Sequence, residues 1–381
     1  MQIHRLWLAN FRSYLETEVT FPPGLTVVLG PNGSGKTNLL EAIGYLATLR
    51  SFRGAPNDAL LRLDCQQAVV RADITHGDRA LLIETELVSV GRSRSLVNKQ
   101  PVRRTSDLRE ALRVTVFSPD DLAIIKGGPG ERRDLIDQLV AALHPRHDAL
   151  QSDLERILRQ RNAVLKQAAG RLTSDIDFTL DVWDAKFAEV GSHVAELRLA
   201  LLRDLSGPLT SAYTAMSGRP QTRVSASYQS NWVDRGLASA LREARNDDIR
   251  RGVSTVGPQR DDIVLAIDGR PSRTHASQGE QRSLALALRL AGHRHLTERI
   301  GSPPVLLLDD VFSELDEARS AALLHNLPVG QAILATAGSV PPAATIESRL
   351  SVEDSPTGSR IGDSVDKAVE SVDESALWSS L

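Results

Sequence analysis

Apolar residues along this chain follow two rhythms, short unbroken runs and long helical spacings, and the changes between them mark its parts. The run Leu25-Thr26-Val27-Val28-Leu29 predicts a buried parallel strand. Directly after a glycine-rich turn, Leu39, Ile43 and Leu46 recur at helical spacing. Leu81 to Val88 and Ser95 to Asn98 read as strands, with Lys99-Gln100-Pro101 as a breaker. From Glu131 to about Met216 the pattern is polar and helical, with Leu150, Leu154, Ile157, Leu158 and Leu165 on its apolar side. Breaks at Gly170 and at Gly207-Pro208 divide it into the paired helices of an arm. A strongly apolar helix opens at Ser277, with Leu284, Leu288 and Ala291 on one face, and Val305 to Leu308 forms a second unbroken strand. The last forty residues are rich in Ser, Pro and acids, which predicts a disordered acidic tail over 341–381, with a short docking helix near Leu377-Trp378 as its one ordered piece.

Composition adds bounds. With 381 residues, 41 % of them apolar, the chain can build a large core and more than one lobe. The single cysteine, Cys65, excludes an internal disulfide and a multi-cysteine zinc site. The N-terminus lacks a continuous apolar segment, and no run approaches the roughly 18 residues of a membrane span, so a cytoplasmic protein without a membrane partner is expected. The formal net charge is −3, but residues 341–381 hold eight acidic and three basic side chains, so the body carries +2. Its basic charge is nearly all arginine, with lysine only at positions 36, 99, 126, 166 and 186.

The chemistry begins in the turn after the first strand. Gly30, Pro31, Asn32, Gly33, Ser34, Gly35, Lys36 and Thr37 read GPNGSGKT, followed by Asn38. Strand, glycine loop and helix N-terminus together make an anion site, because glycines let backbone N–H groups close around phosphates and the helix dipole favours negative charge. Lys36 would reach the β- and γ-phosphates and the Thr37 hydroxyl would hold Mg²⁺, so the chain is expected to bind ATP or GTP. Far downstream, the strand Val305 to Leu308 ends in Asp309 and Asp310. At a strand tip beside the loop, Asp309 would lie near Mg²⁺ and act through a coordinated water, and Asp310 would orient or deprotonate the attacking water, making Lys36 and Asp310 the catalytic pair.

Ser277-Gln278-Gly279-Glu280-Gln281 opens the apolar helix, and Ser277 with Glu280 forms a capping box. Ser-x-Gly-x-Gln at a helix start, about thirty residues before an aspartate strand, resembles the signature motif of the ABC ATPase superfamily. That resemblance implies that Ser277, Gly279 and the helix N-terminus meet a γ-phosphate held by a second protomer, in an ATP-dependent homodimer, with Gln281 among the nucleotide-binding residues.

From residue 1 to about 337 the chain resembles the bacterial recombination-mediator ATPases of the RecF family. The segments that carry the likeness are Asn10-Phe11-Arg12-Ser13-Tyr14, GPNGSGKTNLLEA from Gly30, Ser51-Phe52-Arg53, Phe117 to Leu122 leading through Gly127-Gly128-Pro129 to Arg132-Arg133, Leu158 to Lys166, and LLLDDVFSELD. Gly257-Pro258-Gln259-Arg260-Asp261-Asp262 departs from it at Gln259, where the family usually has His. The resemblance implies an α/β fold, a two-lobed P-loop ABC-type ATPase head with a helical arm lobe and no long coiled coil. Lobe one would take residues 1–112 and 300–340, and lobe two residues 113–299. It further implies ATP and Mg²⁺ as cofactors, weak ATP hydrolysis, and clamping of double-stranded DNA at junctions with single strands. RecR, with RecO, would be the protein partners, and RecA loading the outcome.

The residues themselves speak for DNA only through arginines: Arg50, Arg53, Arg92, Arg94, Arg103 and Arg104 in the first lobe, Arg156, Arg159 and Arg161 on the arm. Arg53 and Arg159 are the candidates, as sequence-independent phosphate contacts. Two alternatives stand beside this reading. A transporter's ATP-binding subunit would require a full Leu-Ser-Gly-Gly-Gln and a glutamate at 310, whereas this chain has Ala276-Ser277-Gln278-Gly279 and Asp310. A structural clamp with negligible turnover fits an aspartate one methylene shorter than that glutamate.

Overall fold

The computed structural model describes residues 1–363 other than 145, 339, 341–343 and 357. Its centre is a six-stranded sheet in the spatial order Gly358–Asp363, Ser348–Ser355, Leu25–Leu29, Ala332–Thr336, Val305–Asp309, Val114–Phe117. All but Gly358–Asp363 run parallel. Parallel strands covered on both faces need apolar side chains at successive positions. The unbroken runs supply them, for Val27, Val28, Leu307, Leu308, Ile333 and Leu334 have no exposed surface. Asp309 pairs with Ala335, and Ala335 with Val28. The carboxyl ends of the loop strand and the aspartate strand therefore lie on one edge, where open α/β sheets bind ligands.

The helix Lys36–Thr48 fills the space between this sheet and a second, antiparallel one that contains Gln2–Phe11, Tyr14–Thr20, Gln67–His76 and Arg79–Val88. Leu39, Leu40, Ile43 and Leu46 are fully buried in one cluster with Ile3 and Leu6 of the antiparallel sheet and Leu307 and Ile333 of the parallel one. On the other face lies the helix Gln278–Ile300. Its expected apolar face is present, yet burial runs round the whole helix. It is enclosed by the sheet, by Leu122–Lys126, by Pro129–Leu143 and by the long helix Ser174–Ser217. Among the described residues no helix is long and apolar enough to cross a membrane.

The arm is a helical hairpin of His147–Gln167 and Ser174–Ser217. The break at Gly170 is there, with the glycine at φ 80°. The break at Gly207-Pro208 is not, since the 44-residue helix continues through Pro208. A mid-helix proline costs about 3 kcal/mol. Fully burying a leucine contributes roughly 1.5–3 kcal/mol, and Leu205, Leu209, Ala212 and Tyr213 are all fully buried around the proline, so packing outweighs the local preference.

Two expected boundaries shift. Val114–Phe117 pairs with Val305–Asp309 in the parallel sheet, so that sheet draws on residues beyond position 112. The expected disordered tail also fails for its first part, because Ser348–Ser355 and Gly358–Asp363 complete the same sheet and bury Leu350 and Val352. Alternation of apolar with polar residues over Arg349 to Glu353 is the strand signal, masked by the acidic composition around it. Residues 364–381, including the docking helix expected near Leu377-Trp378, lie outside the described residues.

Candidate nucleotide site

The turn Gly30–Thr37 joins the central strand to the helix Lys36–Thr48 and is shaped by two glycines in the left-handed region, Gly33 at φ 84° and Gly35 at φ 110°. Pro31, Asn32 and Gly33 are exposed at its mouth, while Ser34, Gly35 and Lys36 are buried. The Lys36 ammonium donates to the carbonyls of Gly30 and Pro31, each at 2.8 Å, which holds it over the loop. Burial lowers its pKa, and the carboxylates of Asp310 and Asp309 push the other way. The Ser34 hydroxyl is buried without a hydrogen-bond partner among the described residues. Asn38 turns away from the mouth, its amide donating to Ser13 Oγ at 2.8 Å.

Asp309 meets the loop. Thr37 Oγ1 donates to Asp309 Oδ1 at 2.7 Å. Burial pushes the Asp309 carboxyl up, the Thr37 hydrogen bond and the Arg53 charge pull it down, Asp310 adds to the rise and Lys36 opposes it. Two hard oxygens at this separation suit Mg²⁺, since neighbouring ligands of an octahedron with bonds of 2.0–2.1 Å stand about 2.9 Å apart. Asp310, next along, is held at φ 46°, where the backbone is strained for a residue with a side chain, and its N–H donates to Ala335 O at 2.8 Å. Its Oδ1 is buried with no hydrogen-bond partner among the described residues. A carboxylate with an idle acceptor, held on a strained backbone at a ligand-binding edge, can hold a water or take its proton.

The capping box at Ser277 forms as expected. The Ser277 backbone N–H donates to Glu280 Oε2 at 2.9 Å, and the serine hydroxyl accepts from Glu280 N at 3.3 Å. The Ser277 bonds lower the Glu280 pKa, helped by Arg219. Gly279 lies against Arg319, whose Nη2 would stand 2.8 Å from a Cβ at that position. Arg319 in turn donates to Ser283 Oγ at 3.0 Å and pairs with Asp316, so the segment after the aspartates braces the start of this helix. Gln281 departs from expectation. It is buried and donates to the carbonyls of Ser272 and Arg273 at 3.0 and 3.3 Å, so its amide is committed to the fold. No hydrogen bond joins Ser277 or Gly279 to the loop Gly30–Thr37 among the described residues.

The arginines separate into different roles. Arg53 is exposed, and its charge acts on Asp309, which places it at the nucleotide edge. Arg159 lies on the exposed side of the arm, 3.8 Å from Glu155 in a loose helical pair. Arg161 leaves the DNA candidates, because it is fully buried and binds Asp184 at 2.6 Å, Asp248 at 2.7 Å and Ser254 at 2.8 Å. Gln259 donates to Val256 O at 3.0 Å, and beyond it Asp261 accepts from Tyr228 at 2.6 Å and from Trp232 at 2.9 Å. Trp232 packs with Leu154 and Phe187 of the arm, so the segment joins the arm to the strand Val224–Gln229 that carries Tyr228.

A glycine loop on the central parallel strand, an aspartate strand on the same edge and a capped helix beginning elsewhere define the nucleotide-binding head of the ABC and SMC type. The family model described as RecF/RecN/SMC N terminal domain matches residues 2–333, and the chain belongs to the RecF family of DNA replication and repair proteins. It is 43 % identical to the DNA replication and repair protein RecF of Kineococcus radiotolerans over 363 residues, 88 % of this chain and 93 % of that one. The RecF protein of Streptomyces avermitilis is 42 % identical over 350 residues, with the same coverage. Among solved structures, the recombination mediator RecF with ATP, in the RecFOR pathway, superposes with a TM-score of 0.86 at 27 % identity, covering 95 % of this chain and 97 % of the other. An SMC head bound to a winged-helix domain of ScpA shares the fold at a TM-score of 0.58 and 17 % identity, covering 96 % and 98 %.

Proposed function

We propose that the chain is an ATP-driven clamp on double-stranded DNA. ATP occupies Gly30 to Asn38, and Thr37 and Asp309 would hold Mg²⁺, which would supply neutralisation of phosphate charge. Lys36 binds those phosphates, and Asp310 orients the attacking water and takes its proton. Ser277 and Gly279 complete the site from a second protomer, so that ATP drives a homodimer and slow hydrolysis releases it. The dimer binds duplex next to single-strand gaps and, with RecR and RecO, assists RecA loading in recombinational repair. What supports this reading is the Thr37–Asp309 hydrogen bond, together with a capped Ser277 helix start that makes no hydrogen bond to its own loop among the described residues. A site half-built in one chain needs a second copy. Arg53 and Arg159 remain the proposed phosphate contacts, with Arg53 also facing the nucleotide edge.

Gel filtration with light scattering, with and without ATP and a gapped duplex, tests this. A dimer is expected only with ATP, and DNA binding only with the dimer. Each true arginine–phosphate contact removed should lower the slope of log affinity on log salt by about one unit. DNA binding that is equally tight without nucleotide would refute the coupling.

A further inference from the structure

The back of the glycine loop is closed by residues from the far end of the chain. Ser348–Ser355 runs beside Leu25–Leu29, with Leu350 opposite Val28 and Ser351 opposite Leu29. A Cβ on Gly30 would stand 2.2 Å from the Val352 carbonyl oxygen. One on Gly35 would stand 2.4 Å from Ser359 Oγ and 2.8 Å from Ser13 Oγ. Two of the loop's glycines are thus required by the protein behind them, whatever the loop binds in front.

Hydrogen bonds fasten this wall. Ser359 N–H donates to Ser13 O at 3.0 Å, and Ser359 Oγ donates to Ser13 Oγ at 2.7 Å. Ser13 Oγ also accepts from Asn38 Nδ2 at 2.8 Å, in the first turn of the helix that carries Lys36 and Thr37. Tyr14 OH donates to Gly35 O at 3.0 Å, and Arg62 donates to Ser13 O at 2.9 Å. Ser359 is only 4 % exposed, so its hydroxyl has been taken from water for this contact. A glycine loop left alone samples many conformations, most of which scatter its N–H groups. A fixed wall removes those alternatives before the ligand arrives, and preorganisation of this kind raises affinity without any new contact.

We propose that Ser359 is a positioning residue of the nucleotide loop, acting through Ser13 and Asn38, and that the C-terminal hairpin sets the loop's readiness for phosphate. This rests on the nucleotide reading above. Titration of the full-length chain with a fluorescent ATP analogue tests it. Ser359→Ala is expected to weaken binding about three- to tenfold, the range of one lost buried hydrogen bond. Ser351→Ala, on the same hairpin with its hydroxyl on Gly362 O, is expected to change nothing. Combining Ser359→Ala with Asn38→Ala should weaken binding no more than the larger single effect, because both break one chain of bonds. Fully additive losses would overturn the role. On the unaltered chain, ATP should slow amide exchange over residues 350–361 together with 30–48, and protection confined to the loop would also overturn it. If the unaltered chain binds no ATP, the nucleotide reading fails and this inference falls with it. If it binds and Ser359→Ala binds equally well, the positioning role alone fails.

Discussion

Thr37 and Asp309 stand 272 positions apart in the chain and are joined by a 2.7 Å hydrogen bond from Oγ1 to Oδ1. Neither segment brings both oxygens alone. The hydroxyl is set by the helix that leaves the glycine loop, the carboxylate by the tip of a strand two places away in the sheet. The parallel register brings both to one edge.

Removing the carboxylate should therefore act through the metal. Asp309→Ala should raise the Mg²⁺ concentration that half-saturates ATP turnover by at least about tenfold, the lower end of what disturbing a metal site's supporting groups produces. Metal-free ATP binding should be retained. An unchanged Mg²⁺ titration would remove Asp309 from the site.

Ser277→Arg should bind ATP with parent affinity yet stay monomeric, since the hydroxyl is not bonded to its own loop and a long cation would block a partner's phosphate. Light scattering with saturating ATP decides. Normal dimerisation of this variant would refute the composite site.

Asp310→Asn should hydrolyse ATP at least roughly tenfold more slowly and accumulate the ATP-bound dimer, in the range a lost general base produces. Turnover at the parent rate would mean that the Asp310 carboxylate with its idle Oδ1 does not handle the water.

Two arm arginines two positions apart should behave oppositely. Arg161→Ala leaves Asp248 buried without its cation and Asp184 with Arg245 alone, and should cost about 3–5 kcal/mol in urea denaturation. Arg159→Ala removes only an exposed 3.8 Å pair and should stay within about 0.5 kcal/mol of the parent. Comparable effects would contradict the burial difference.

His293 links the helix Gln278–Ile300 to Thr115 at 3.0 Å, and burial pushes its pKa down to about 4, with Arg294 adding to the shift. The unfolded chain takes up a proton near pH 6.5 that the folded chain refuses until about 4, so its neutral form contributes stability that fades as pH falls through that window. Between pH 7 and 5 the loss amounts to about 2 kcal/mol. His293→Gln should show correspondingly less acid destabilisation between those two pH values.

The pieces that depend only on near neighbours are legible in residue type. Leu25 to Leu29 and Val305 to Leu308 are apolar without a gap, as strands buried on both faces must be, and the glycine loop and the Ser277 cap are local geometries written in residue type. The rest depends on long-range packing, which is not encoded at any one position. Pro208 reads as a helix breaker, and only the buried leucines around it carry the helix onward. Arg159 and Arg161 read alike, and only the three-dimensional placement of Asp184 and Asp248 makes one of them internal. Gln281 reads as a ligand to phosphate until the carbonyls of Ser272 and Arg273 claim its amide. The hairpin Ser348–Asp363 is the largest difference. Its composition is that of a solvated tail, and its order comes from sheet hydrogen bonds to Leu25–Leu29 and from the close fit of Val352 and Ser359 behind Gly30 and Gly35.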